Sequence, residues 1–288
     1  MELRLKNIKK KYGDTSALDK VNLQLTEGVY GILGQNGAGK TTIMNIIAGV
    51  LKPTEGEVLL DNVNIQKMKK KYKSLLGYMP QQQGMYEYFT GYRFLYYLAA
   101  LKGVDNKNMK QEVFRVAKKV QMQEMLNKRI GAYSGGMKQR LLIAQALIGN
   151  PPIILLDEPT AGLDPKVRIE VRNLISDVAR NKIVLVATHV VQDVEFIAKR
   201  LIILKDGQIY AFDTVDKLLN SIVGKTYECV ISQDKLKNIE KEYLISNLMH
   251  VENAVKLRII SEKVPAIDAR IVQATLEDYY LYIFDGEE

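Results

Sequence analysis

"VYGILGQNGAGKTTIMNIIAGVL", Val29 to Leu51, decides how the rest of the chain is read. Val29 to Leu33 is an apolar run suited to a strand. Gly34 to Gly39 is glycine-rich, and from Lys40 onward Ile43, Ile46 and Ile47 recur at helical spacing. Strand, glycine loop and helix in that order predict an α/β unit. Within it, Gly34, Gln35, Asn36, Gly37, Ala38, Gly39, Lys40, Thr41 and Thr42 follow the Walker A spacing. Glycine lets backbone N–H groups turn inward around phosphate oxygens with no Cβ in the way. In such a loop the lysine reaches the β- and γ-phosphates, and the Thr41 hydroxyl is placed to ligate Mg²⁺. The plainer alternative is a glycine turn joining strand to helix, and the strand–loop–helix context argues against it.

"NPPIILLDEPTAGLD" starts at a proline break and continues with four apolar residues. Such a run suits a strand buried on both faces, as in a parallel sheet. Asp157 and Glu158 stand at its C-terminal end, where open α/β sheets bind ligands. The first can hold the Mg²⁺ shell through water, and the second can take a proton from an attacking water. A helix N-cap pair is the alternative, but Pro159 pushes Glu158 out of the helical region.

A second glycine pair precedes another helical run in "YSGGMKQRLLIAQALIG", Tyr133 to Gly149. Exposed N–H groups at a helix start favour an anion, so the chain carries two phosphate-type loops. "KIVLVATH" predicts a further strand ending at His189, on the rim where Asp157 lies; a structural histidine is the alternative. "GYMPQQQG" ends a short strand in glutamines, which suit either a polar loop or a site contact through the amide. Tyr12, in "KKKYGD", is a turn tyrosine or a stacking platform for an aromatic ring.

Composition sets the outer limits. At 288 residues the chain suits one large domain, or one domain with an appendage. No apolar run approaches the roughly 18 residues of a membrane helix, and the N-terminus lacks a signal-peptide pattern. Cys229 is the single cysteine, which excludes an internal disulfide and a thiolate metal site. A cytosolic protein is the expectation. The net charge of +8 is uneven: Lys225 to Glu288 holds 8 Lys+Arg against 12 Asp+Glu, leaving the first 224 residues at +12. The densest cluster is "KMKKKYK", Lys67 to Lys73. Charge alone does not separate a solvated helix face there from a membrane-surface contact.

Taken in order, these motifs resemble the nucleotide-binding subunit of ATP-binding cassette (ABC) transporters over roughly residues 1–220. Walker A lies at Gly34 to Thr42, the Q-loop at Gln81 and the signature at Ser134 to Gln139. Walker B lies at Ile153 to Asp157 and is followed by Glu158, the D-loop "AGLD" lies at Ala161 to Asp164, and His189 is the H-loop. Tyr133 and Met137 stand where the commonest signature has Leu and Gln. The resemblance implies a P-loop ATPase core with an antiparallel β subdomain and a helical subdomain at about 80–149. It also implies ATP and Mg²⁺ as ligands, with Thr41, Gln81 and Asp157 around the metal and Tyr12 against adenine. Glu158, His189 and Gln81 become the catalytic candidates.

The same resemblance explains the second loop. Two such subunits stack head to tail, so that Ser134, Gly135, Gly136 and Gln139 of one close on the ATP held by the other. It further implies separate integral-membrane subunits, a position on the inner face of the cell membrane, and no nucleic-acid partner. Tyrosine-rich "QQQGMYEYFTGYRFLYY" is core packing or a groove for a membrane partner, with Met85, Tyr86, Tyr88 and Phe89 near it. Residues 221–288 are expected to form a small α/β appendage, whose ending "ATLEDYYLYIFDGEE" resembles ATPases of ABC-2-type exporters. Export is therefore favoured over an importer ATPase, and over a soluble ABC ATPase acting on nucleic acid or ribosomes.

Overall fold

The computed structural model describes residues 1–81, 84–252, 254–265 and 267–286. They form two compact units, Met1–Phe212 and Asp213–Glu288. The first unit begins with β1 (Leu3–Tyr12), β2 (Thr15–Leu25), β3 (Gly28–Leu33), α1 (Lys40–Ile47), β4 (Glu55–Leu60) and β5 (Val63–Asn64). It continues through α2 (Ile65–Met68), α3 (Lys70–Ser74), β6 (Leu76–Met79), α4 (Gly91–Leu101), α5 (Met109–Lys119) and α6 (Gly135–Ala146). It ends with β7 (Ile153–Asp157), α7 (Pro165–Val178), β8 (Ile183–Ala187), α8 (Val191–Glu195), β9 (Arg200–Lys205) and β10 (Gln208–Asp213).

Two sheets share one core in this unit. The four-stranded sheet runs β2-β1-β4-β5 and is antiparallel. In β1, Leu3 and Leu5 point inward by simple alternation; a register shift between Leu5 and Ile8, at Asn7 with φ 50°, returns Ile8 to the core. The six-stranded sheet has the order β10-β9-β3-β8-β7-β6, parallel across β9, β3, β8, β7 and β6. Every residue of β7 and β8 is buried, which explains their unbroken apolar sequences. Parallel register brings the ends of β3, β7 and β8 to one edge, with Asp157 opposite Ala187.

Between β6 and β7 the chain is helical. Thr90 caps α4 by accepting from the Arg93 N–H, and α4, α5 and α6 pack on one another. In α6, Leu141 to Ala144 are buried in succession, so apolar neighbours surround the second half of the signature helix.

The second unit comprises α9 (Val215–Asn220), β11 (Thr226–Ser232), α10 (Leu236–Glu242), β12 (Leu244–Val251), β13 (Ala254–Ile260), β14 (Ala269–Ile271) and α11 (Leu276–Asp285). Its antiparallel sheet has the order β12-β13-β11-β14. Alternate residues Cys229 and Ile231, with Val255, Leu257 and Ile259, form one apolar face packed on Ile239 of α10. Asp278 locks α11 to this sheet. It completes a capping box with Thr275 and accepts from Ser246 and from the Arg258 guanidinium. Burial opposes ionisation of Asp278, but the bonds from Arg258, Ser246 and Thr275 outweigh it and hold the carboxyl below the usual range. A depressed folded-state pKa contributes stability above the unfolded value, lost as pH falls through the folded one. Asp278→Ala removes the capping box and the buried carboxylate that holds Arg258, leaving the guanidinium only Glu228 and the Gln273 carbonyl, and is expected to cost about 1–3 kcal/mol. Denaturant unfolding of the full chain checks this, and the variant should also lose the wild type's acid-side decline from this group.

Candidate functional site

The glycine loop folds as the spacing predicts. Gly39 sits at the N-cap of α1 with φ 103°, and a Cβ there would lie 2.7 Å from the Ala17 carbonyl oxygen. Only glycine meets both conditions. Lys40 is buried, and its Nζ donates to the carbonyls of Gly34 (2.7 Å) and Gln35 (3.1 Å). Burial pulls its pKa down, while Glu158 and Asp157 pull it back up. A cleft of roughly 380 Å³ opens beside it, lined by Asn36, Gly37, Gly39, Lys40, Thr41, Thr42, Gln81 and Glu158. Gln81 is thus at the cleft; Gln82 and Gln83 lie outside the described residues. Tyr12 does not line it, but is half-exposed at the end of β1 with the Lys10 ammonium 5.1 Å from its ring centroid.

Asp157 is buried, yet neither carboxylate oxygen has a hydrogen-bond partner among the described residues. Burial pushes its pKa up. The Thr41 hydroxyl, near enough to favour the anion without completing a hydrogen bond, pulls it down; Glu158 adds to the rise and Lys40 opposes it. A buried carboxylate is costly without a partner. An orphaned one next to a threonine hydroxyl and a phosphate-type loop fits a divalent cation held through water.

Glu158 lies beyond the end of β7, with φ 53°. It therefore leaves the right-handed helical region, as Pro159 requires, by a left-handed rather than an extended conformation; such strain clusters at functional positions. Its N–H donates to the Ala187 carbonyl at 2.8 Å, which fixes it beside β8. One carboxylate oxygen lies 2.9 Å from His189 Nδ1, and the other accepts from the Thr188 hydroxyl at 3.3 Å. The His189 side chain is 54% exposed, so it is anchored on Glu158 while its ring reaches solvent.

Gln139 turns inward within its own chain, where its amide donates to the Glu158 carbonyl at 3.0 Å. The signature helix and the acidic strand end are joined by that bond. Ser134 caps α6 by accepting from the Met137 N–H at 3.3 Å, and it and Gly135 are exposed. Tyr133 is buried and donates its hydroxyl to the Met125 carbonyl at 2.6 Å, so this departure from leucine is absorbed in the helical core. Asp164 occupies the N-cap of α7, but its exposed side chain makes no capping bond.

The sequence reading missed a second buried set. Thr160 donates to Asp193 Oδ2, and the other oxygen of Asp193 lies 3.8 Å from Arg168 Nε. Asp193 is buried, which raises its pKa, while Thr160, Arg168 and Arg172 lower it. This set ties the segment after Glu158 to the one after His189. A carboxylate within the apolar stretch "VVQDVEFI" was the available signal.

A family model described as ABC transporter matches residues 18–161, half of the chain, including the glycine loop, the signature and Glu158. The chain belongs to the ABC transporter family. It is an ATP-binding, ATP-hydrolysing subunit of that family. It is 36% identical over 208 residues to the uncharacterised ABC transporter ATP-binding protein YxlF of Bacillus subtilis, covering 72% of this chain and 69% of that one. Bacitracin transport ATP-binding protein BcrA of Bacillus licheniformis is 29% identical over 301 residues, covering 99% of this chain and 97% of that one. Among solved structures, a dimeric ATP-binding cassette in a post-hydrolysis state, bound to ADP and Pi, matches with TM-score 0.66 at 32% identity. That match covers 74% of this chain and 98% of the cassette. No helix among the described residues is long and apolar enough to cross a membrane.

Proposed function

We propose that this ABC ATPase drives export through separate integral-membrane subunits, and that two cassettes close on ATP in each turnover. The observation that carries the reading is a cleft with only one wall. The Walker A residues, Gln81 and Glu158 line it, whereas Ser134 and Gly135 of the second anion-type loop are exposed and do not. A partner cassette supplies the other wall with its own Ser134, Gly135 and Gly136, and Asp164 lies at that interface. The dimeric cassette noted above is a precedent for this pairing.

Within one cassette the chemistry divides as follows. The loop N–H groups and Lys40 bind the phosphates, and the adenine stacks on Tyr12. Thr41, Asp157 and the Gln81 amide oxygen would hold Mg²⁺, which would neutralise phosphate charge. Glu158 accepts a proton from the attacking water, and His189 orients Glu158 while donating toward the γ-phosphate. Lys40→Ala is expected to abolish ATP binding with no loss of folding, read by nucleotide titration and thermal melting.

The partner is recognised at the helical subdomain. Tyr88 is 87% exposed, and Tyr86 stacks on Phe89 with centroids 4.9 Å apart while the Arg93 guanidinium lies over the Phe89 ring. Exposed aromatics of this kind are typical of interface anchors. Co-purification in mild detergent should recover an integral-membrane protein with the wild type and not with Tyr88→Glu. Export is supported by the full-length similarity to a bacitracin transport ATPase. In inverted vesicles with the reconstituted complex, ATP should load substrate into the lumen; loading only in right-side-out vesicles would point to import.

A further inference from the structure

The lysine cluster left undecided by charge alone acquires a shape in the structure. Ile65, Met68 and Tyr72 turn inward, and the Tyr72 hydroxyl donates to the Ile47 carbonyl at 2.7 Å. Lys67, Lys69, Lys70, Lys71 and Lys73 are all exposed around them. Between α2 and α3, Lys69 adopts φ 49° and ψ −119°, a conformation that costs any residue but glycine. This kink stops one helix and starts the next, and Lys69 at the kink lines the same pocket as Lys73 of α3.

Beneath them is a pocket of about 200 Å³. Leu51, Val58, Ile65 and Tyr72 line its apolar part, and Lys52, Lys69 and Lys73 stand at it as cations. Among the described residues none of the six lysines has an ion-pair partner. The acids closest in sequence are engaged elsewhere: Glu55 with Lys9, Glu57 with Asn64, and Asp61 with the Glu2 N–H.

We infer that this surface binds the anionic headgroups of a lipid bilayer directly, with the pocket receiving the apolar part of a lipid. Lysine, a compact cation on an apolar stem, suits that boundary. A cluster of this density next to apolar surface is the pattern of anionic-lipid recognition. Nucleic acid fits less well, since the patch has no arginine and its tyrosine is buried with its hydroxyl engaged, leaving no ring for a base. The contact goes beyond the export reading because it needs no membrane subunit, and it stands whichever direction transport takes.

The test uses the purified full chain without membrane subunits, sedimented with phosphatidylcholine vesicles and with phosphatidylcholine–phosphatidylglycerol vesicles. Binding is expected only with phosphatidylglycerol, and weakened by salt. Each lysine near an anionic leaflet is worth about fivefold in affinity. Joint replacement of Lys67, Lys70, Lys71 and Lys73 by Gln should therefore lose on the order of 600-fold. ATP hydrolysis and melting temperature of the same preparation should not change, which separates this surface from the catalytic reading. Equal vesicle binding by wild type and variant overturns the proposal. So does release by inorganic phosphate beyond that of sodium chloride at equal ionic strength, which would mark a free-anion site. Preferential binding of a single-stranded RNA over the vesicles would overturn it in favour of nucleic acid.

Discussion

Glu158→Gln binds ATP normally but hydrolyses it about 10²–10⁴-fold more slowly, the range lost with a general base. The substitution keeps the shape of the side chain and its reach to Thr188 and His189, so the fold and the cleft should survive. What disappears is the anionic oxygen that takes the proton. If closure of two cassettes on ATP precedes hydrolysis, the variant should also accumulate as an ATP-bound dimer, measurable by size exclusion with and without nucleotide. A variant hydrolysing at the wild-type rate would remove Glu158 from this role. His189→Ala supplies the contrast: it leaves the carboxylate but frees its orientation, so partial activity is expected from it.

The second large effect concerns Gly135. A Cβ at that position would meet nothing within 4 Å in this chain. The fold therefore does not demand glycine there, unlike Gly39, whose added Cβ would crowd the Ala17 carbonyl. Gly135→Asp should melt as the wild type does and still bind ATP, because its own Walker A loop is untouched. Its hydrolysis should nevertheless collapse, since a carboxylate would stand where a partner's phosphate approaches. Mixing Gly135→Asp with Lys40→Ala is the decisive form. Both variants are inactive alone, but in a mixed dimer one composite site carries both defects and the other carries none. Hydrolysis that reappears on mixing supports trans assembly; continued inactivity, with mixed dimers shown to form, excludes it.

Much of this site was legible in linear order because its chemistry is local. Gly34 to Thr42 is one contiguous loop, and the strand before it and helix after it announce themselves by period. The same holds for β7, where four apolar residues lead into Asp157 and Glu158. The second unit was read less fully. β11, "TYECVIS", and β13, "AVKLRII", alternate in their own sequences, whereas β12, "LISNLMHV", and the short α10 carry no clear period. A strand half-covered by neighbours is defined by its partner, here β13, rather than by its own pattern.

By itself, the sequence determined the strand–loop–helix order, the residues able to bind phosphate, and the carboxylate pair at the end of a buried strand, since these depend on neighbours along the chain and on the periods of helix and strand. Only the tertiary structure decided that Thr188 and His189 hold Glu158, that Gln139 reaches the same residue from the signature helix, that Tyr133 points into the core, and that Asp193 ties Thr160 to Arg168. The contacts of Glu158 with Thr188 and His189, and of Thr160 with Asp193, join residues about thirty apart in sequence. They exist because parallel sheet order makes β7 and β8 neighbours, and no local preference encodes which strand lies next to which.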